Sequence, residues 1–518
     1  MAAEARARDG AAAGAAEPEE GPLYLRVARA LEDQIRSGVL RVGDRVPSIR
    51  ELRRQRRVSA STVLQAYLWL ESRGRIEARP RSGFYVRTPF AEMVPEPAAP
   101  PASPAPTTVG VGAVLGEILR AASDPSKVPF GAACPGPDLL PNRRLNLILR
   151  GIARRSPFHS ARYEFPPGAP SLRRQIARRS FEMGCSLPPD EIVVTCGAMQ
   201  ALNLCLMAVA RKGDVVAVES PTYFGILQAI EALGLRAVEV PAHPRTGIDL
   251  DKLDDAARRR RLAACIVQTS CHNPLGAVMP DDRKRELAQL AARRGLPVIE
   301  DDVYGDLVFE GPRPVTAKAF DRKGLVLLCS SFSKVLAPGF RIGWVHAGRF
   351  TGEVLKLMFL TTVAAPSLPQ LAVAEFLAAG GYDRHIRRLR RAFAAQVQSV
   401  SHAVGTYFPR GTRVTRPAGG YLLWVEMPER VDALAFFRRA LAAGVSVLPG
   451  PLFSAGGAFR HHIRVSCGHP PSEAIDRALR TLGRIASGGG VTGAGVATPP
   501  RRPPPAPPCR PGSRTTRA

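Results

Sequence analysis

No two cysteines in this 518-residue chain stand in a C-x-x-C pair, and the nine present are scattered from Cys134 to Cys509. That odd, dispersed set suggests neither a disulfide framework nor a thiolate zinc site, so a reducing compartment and no metal are expected. Also missing is any apolar run near the ~18–20 residues of a membrane span. The Ala-rich start carries Glu4, Asp9, Glu17, Glu19 and Glu20, unlike a signal peptide. These absences predict a soluble, cytoplasmic protein with no membrane partner. Lysine is scarce as well: only 8 of the 72 basic residues, the other 64 being Arg. Genome base composition alone produces such a skew, so the net charge of +27 proves little by itself. Its distribution is informative. Residues 22–88 hold 15 Arg against 6 acids, net +9, whereas residues 1–21 hold 2 Arg against 5 acids, net −3.

Low-complexity segments divide the chain. Residues 1–21, rich in Ala, Gly and Glu, and residues 486–518, ending PPRRPPPAPPCRPGSRTTRA, read as disordered tails, the second one basic. A proline-rich stretch, Glu92–Thr108, lies in a semi-rigid linker spanning 89–126. Two folded bodies remain, 22–88 and 127–485. The short apolar segment Val114–Ala122 is either a linker helix or the first helix of the larger body.

In the smaller body, Val27, Ala30, Leu31 and Ile35 recur at helical spacing, with Gly38 as a stop. Ser48 and Glu51 form an S-x-x-E capping box opening a second helix. Ser59 caps a third, on which Val63, Ala66, Tyr67 and Leu70 share one face. IEARPRSGFYVR then reads as two short strands about a turn, a wing. A helix that enters the major groove needs an exposed polar first turn, here Ser59, Ala60, Ser61 and Thr62, with basic groups nearby for phosphates. Arg45, Ser48, Arg50, Arg79 and Arg81 are the further candidates for DNA contact. The competing reading is a three-helix protein-interaction module on an Arg-rich chain.

The larger body alternates strand-like runs (EIVVT, DVVAVE, ACIVQT, LPVIEDD, LVLLCSSFS) with amphipathic stretches, the pattern of a mostly parallel sheet covered by helices. Its chemically informative residues fall at C-terminal strand ends, where such sheets bind ligands. Lys334 in SSFSKVLAPGFRIG fits a lysine that forms an imine with an aldehyde cofactor, whose amine must lose its proton near neutral pH. Ser331-x-x-Lys334 also matches a serine-nucleophile motif, but no S-D-N or K-T-G partner occurs. Pyridoxal 5′-phosphate would need an acid at its ring nitrogen, donors at its ring oxygen, an aromatic over its face and a phosphate cup. Asp301, then Tyr304 and Asn273, then Tyr223, then Gly197, Ala198 and Met199 with Ser331 and Arg341 supply candidates in that order. Arg464 in HHIRVSC is a candidate for a substrate carboxylate. An alternative for Asp301, Asp302 and Asp306 is a divalent ion.

The run from Pro22 to Gly74 resembles the winged helix-turn-helix of GntR-family bacterial regulators. Residues 127–485 resemble fold-type I, class I aminotransferases through Y-x-x-x-x-G at Tyr163–Gly168, S-P-x-Y, N-P-x-G, D-x-x-Y, S-F-S-K-x-x-x-P-G-x-R-x-G and Arg464. Together they resemble the MocR subfamily. The resemblance implies a multidomain chain: a mainly α head joined to a large α/β PLP-dependent transferase fold with a smaller C-terminal α+β subdomain. It implies the roles just given, with Lys334 carrying the internal aldimine and Tyr163 reaching the phosphate of the neighbouring subunit. It further implies a head-to-tail homodimer whose linkers carry each head across to the partner, with operator DNA and a small amine or amino acid effector as partners. Residues Phe130–Pro137 are expected to shape the pocket. The expected function is a PLP-dependent DNA-binding regulator, located on the nucleoid when bound to DNA. The alternatives are an active aminotransferase carrying a DNA-binding head, and a repressor whose body is only a dimerisation scaffold.

Overall fold

The computed structural model describes residues 22–37, 39–41, 43–79, 82–87, 94–98, 105–110 and 115–489. Of the expected tails, residues 1–21 and 490–518 lie outside the described residues, as do Gly38, Arg81 and the side chain of Arg79, whereas Ala486, expected to begin the second tail, ends the helix Glu473–Ala486. Among the described residues no helix is long and apolar enough to cross a membrane.

The head folds as three helices and a two-stranded wing: α1 (Leu23–Arg36), α2 (Ile49–Arg56), α3 (Ala60–Ser72), β1 (Ile76–Arg79) and β2 (Gly83–Val86). α2 opens on the reciprocal capping box, Ser48 Oγ accepting from Glu51 N at 3.2 Å and Glu51 Oε2 from Ser48 N at 3.3 Å. It closes on Arg57 in the left-handed conformation, which makes the tight turn into α3. Val63, Ala66, Tyr67 and Leu70 are buried on one side of α3 against Val27, Leu31, Leu52, Ile76 and Val86. That buried stripe leaves the opposite face and first turn of α3 in solvent. β1 and β2 pair antiparallel, and Arg45 adds a bridge to Tyr85.

In the body a nine-stranded sheet runs in the order Thr107–Thr108, Arg236–His243, Val215–Ser220, Ala264–Val267, Val298–Asp301, Val326–Ser331, Gly343–His346, Ile192–Thr195, with Gly247–Ile248 paired beside Arg236–His243. The successive pairs from Arg236–His243 to Val326–Ser331 are parallel. Gly343–His346 is antiparallel to both its neighbours. The parallel strands are apolar and buried on both faces because helices cover each side. A second, four-stranded antiparallel sheet in the order Arg413–Val414, Leu422–Glu426, His462–Ser466, Leu448–Pro449 forms the smaller subdomain. The helix Leu115–Ser123 buries Ile118 in the main core, and Val128–Pro129 pairs with Val445–Ser446, so this segment packs with the body.

Parts of the proline-rich segment are likewise docked. Val94 is buried, and Glu96 accepts from Arg416 N at 2.9 Å and pairs with Arg245 at 2.8 Å. Thr107–Thr108 adds an edge strand to the large sheet. The head rests on the body of its own chain: Arg73, at the end of α3, pairs with Glu310, and a Cβ at Gly74 would collide with Gln398. Beside this contact lies a cleft of about 850 Å³ lined by Leu68, Trp69, Phe309, Arg391 and Pro417, among others.

Candidate active site

Strand ends and the turns after them assemble the site. The strand Val326–Ser331 runs into the turn that carries Lys334, whose Nζ donates to Ala133 O at 2.8 Å. Burial pushes the Lys334 pKa down. Asp301 ends the neighbouring strand and is 3% exposed. Burial raises its carboxyl to about 6, partly offset by a hydrogen bond from Gln268 Nε2 to Oδ2 at 2.7 Å. Its Oδ1 is buried without a hydrogen-bond partner. Tyr304, one turn on, is also buried and raised by burial; the Lys334 ammonium position lies 5.9 Å from its ring centroid.

Asn273 donates its backbone N–H to Gln268 Oε1 at 3.0 Å, while its own side-chain oxygen is buried and unpartnered. Tyr223 caps the helix Phe224–Ala232, and burial raises its hydroxyl pKa; Arg464 and Asp301 are the charges it feels most. The glycine at 225 is required sterically, since a Cβ there would strike the Tyr223 ring. Arg464, on the strand His462–Ser466, is 1% exposed. One of its guanidinium nitrogens donates to Gly131 O; Nε and Nη1 have no partner. Burial lowers its pKa. A buried, half-satisfied guanidinium is costly until an anion meets it, and a carboxylate matches its fork.

The turn at Gly197 opens the twelve-residue helix Ala198–Val209. Gly197 has φ of 85°, and a Cβ there would collide with the Arg341 guanidinium. Ala198 and Met199 therefore present backbone N–H groups at a helix N-terminus, beside Arg341. Arg341 donates to Ser333 Oγ at 3.1 Å and to Cys196 O at 3.2 Å. Ser331, at the strand end, is 6% exposed. The structure thus brings Lys334, Asp301, Tyr304, Asn273, Tyr223 and Arg464 around one space, with Gly197, Ala198, Met199, Ser331 and Arg341 at its edge. Tyr163 stands apart: 70% exposed, its ring 5.5 Å from that of Phe165.

Asp302 and Asp306 are not free for a divalent ion. Both pair with the buried Arg313, Asp306 at 2.8 Å, and Tyr382 Oη donates to Asp306 at 2.5 Å. Gln268 and Tyr421, which the motifs did not single out, belong to the site; Tyr421 Oη donates to Ala133 O at 3.1 Å.

In the head, Ser59 Oγ accepts from Thr62 N at 3.1 Å and sits 2.8 and 2.7 Å from the hydroxyls of Ser61 and Thr62. Ser61 and Arg50 are exposed. Ser48 has its hydroxyl engaged in the α2 cap. Arg45, also exposed, lies over the wing turn, where a Cβ at Gly83 would be 3.2 Å from its Nε.

Comparison with known proteins agrees with both halves. Residues 154–482 match the family model for aminotransferase class I and II, and residues 23–86 match that for bacterial regulatory proteins of the gntR family. YdcR of Escherichia coli strain K12, described as an uncharacterized HTH-type transcriptional regulator, is 39% identical over 462 residues, covering 89% of this chain and 98% of its own. A 2-aminoadipate transaminase of Thermus thermophilus is 32% identical over 72% of this chain and 93% of its own. The crystal structure of LysN, the alpha-aminoadipate aminotransferase of Thermus thermophilus complexed with N-(5′-phosphopyridoxyl)-L-leucine, superposes with a TM-score of 0.67 at 30% identity. It covers 73% of this chain and 95% of that one. The chain belongs to the GntR-type transcription regulators in which a helix-turn-helix head is fused to a fold-type I, class I and II aminotransferase domain, a MocR-like architecture.

Proposed function

We propose that this protein is a pyridoxal 5′-phosphate-dependent regulator whose head binds double-stranded operator DNA and whose body senses an amine or amino acid, or the cofactor itself, at Lys334. One observation carries the reading. Asp301 Oδ1 and Arg464 Nε and Nη1 are buried without protein partners around a lysine whose amine burial holds closer to neutrality. Those are the groups that a protonated ring nitrogen and a ligand carboxylate would satisfy.

The residues fit the cofactor. Asp301 would pair with its ring nitrogen, Asn273 and Tyr304 would hold its ring oxygen, and Tyr223 would cover its face. The N–H groups of Gly197, Ala198 and Met199, with Ser331 and Arg341, would hold its phosphate. Bound there, it would offer an aldehyde to amines and a ring able to accept electrons. The chain's own residues do the rest. Lys334 supplies an amine whose pKa burial lowers, Arg464 orients a carboxylate, and the surrounding tyrosines exclude water.

A homodimer is part of this proposal. Tyr163, Phe165 and Phe359 form an exposed aromatic cluster, with ring centroids of Phe165 and Phe359 6.3 Å apart, and Phe158 and Leu360, close to them in the chain, are exposed too. Such a patch suits a second copy, to which Tyr163 would be delivered, and two heads would read two half-sites.

The test is the visible absorption of the purified protein while amines and amino acids are added without a keto acid. Lys334→Ala must remove the cofactor band. A ligand that shifts the band and goes no further marks a sensor. Full bleaching that a keto acid reverses marks the second reading, an active aminotransferase, which the unpartnered Arg464 also favours.

A further inference from the structure

Basic charge is concentrated a second time, away from the head. Residues 142–181 contain 10 Arg and one acid, Glu164, a net +9 equal to that of the head in a much shorter stretch. The helix Asn142–Arg155 places Arg143, Arg150 and Arg154 at i, i+7 and i+11, one exposed stripe about 16 Å long. The helix Pro170–Ser180 adds Arg174 and Arg178, exposed at i and i+4. No carboxylate of the described residues lies within ion-pair distance of these five side chains, although Arg155, Arg173 and Arg179 nearby are all paired. Between these two helices and the helix Ser367–Ala378 lies a shallow groove of about 340 Å³ lined by Arg155, Ser156, His159, Arg174 and Gln175, and by Glu375, which is neutralised by Arg155.

We propose that this face of the body is a second DNA-contacting surface, a track for the phosphate backbone of duplex flanking the bases read by the head. The inference rests on the head's being a DNA reader. Its physical basis is that unpaired, exposed arginines repel one another and gain nothing from the fold, whereas a duplex offers a dense line of phosphates and releases counterions when they are neutralised. About half or more of protein–DNA hydrogen bonds go to the backbone, so a track of this kind strengthens binding without reading sequence. The stripe spans about half a helical turn of duplex.

The test is the binding of the full-length protein to a labelled duplex of random sequence, about six helical turns long, measured by anisotropy across a salt series. Arg143→Gln, Arg150→Gln and Arg154→Gln combined are expected to weaken binding at least about tenfold and to flatten the salt slope by about 3. The visible spectrum and elution volume should stay those of wild type. An unchanged slope and affinity would overturn the proposal. So would a shift of the triple variant to a smaller species on gel filtration, which would make this face a contact between copies. Arg45→Gln with Arg50→Gln, in the head, is the separate control. If that variant binds as wild type does, the head reading fails, whatever the body variant does.

Discussion

Gln268 holds Asp301 through a 2.7 Å hydrogen bond from Nε2 to Oδ2, and through Oε1 it accepts the backbone N–H of Asn273 at 3.0 Å. One uncharged side chain thus fixes two groups assigned to different positions on the cofactor ring, and the residue's backbone N–H is in turn accepted by Glu219 Oε2 at 2.8 Å. Gln268→Ala leaves a buried carboxylate without its donor, a cost of about 1–3 kcal/mol. The expected result is cofactor affinity reduced roughly 5- to 100-fold with the far-ultraviolet circular dichroism intact, read by equilibrium dialysis. Unchanged affinity would remove Gln268 from the site.

Asp301 makes stability depend on pH in an unusual direction. Its carboxyl is raised by burial to about 6 from 3.8, so its contribution to the cofactor-free fold is fully present below pH ~4 and is lost as pH rises through 6. The shift corresponds to roughly 3 kcal/mol. Between pH ~4 and ~7, urea unfolding of the cofactor-free wild type should lose about that much relative to Asp301→Asn. Parallel pH profiles for the two proteins would contradict this.

Gly197 combines a φ of 85° with the nearby Arg341 guanidinium. Gly197→Ala should cost about 1–3 kcal/mol and displace Arg341. The phosphate group alone is the telling probe. Inorganic phosphate should protect the wild type against thermal unfolding and fail to protect the variant.

Ser59 organises the first turn of α3 through three short contacts. Replacing it with Ala should destabilise the head by about 1 kcal/mol and weaken DNA binding, leaving the visible spectrum untouched. Loss of the spectrum would show that the head and the cofactor site are not separable in this way.

The local signals of this fold were legible in the sequence because their partners are near in the chain. The capping box at Ser48 and Glu51, the apolar stripe of α3 and the five strand runs each depend on residues within a few positions, although the first run, EIVVT, pairs with the antiparallel strand Gly343–His346. Long-range partners were not. Glu96 stands in a proline-rich segment, yet it joins Arg245 and Arg416, which are far apart in the chain. Gln268 ends an apolar run, and its only sequence signal is a buried-strand polar residue, which has no motif. Ser333, whose hydroxyl accepts from Arg341, carries no signal in the lysine motif that marks it as the arginine's partner; the turn after the strand puts it there. Asp302 and Asp306 read as ion ligands only because Arg313, seven residues beyond Asp306, gave no hint of folding back.

The central claim is that occupancy at Lys334 changes what the head does. Its most direct test is anisotropy of a labelled duplex, selected by this protein from a random pool, titrated with and without the amine that shifts the visible band. Wild type should change its DNA affinity by at least about fivefold when the amine is present, and Lys334→Ala should not respond. Equal affinity with and without amine in wild type, or the same response in Lys334→Ala, would contradict the account.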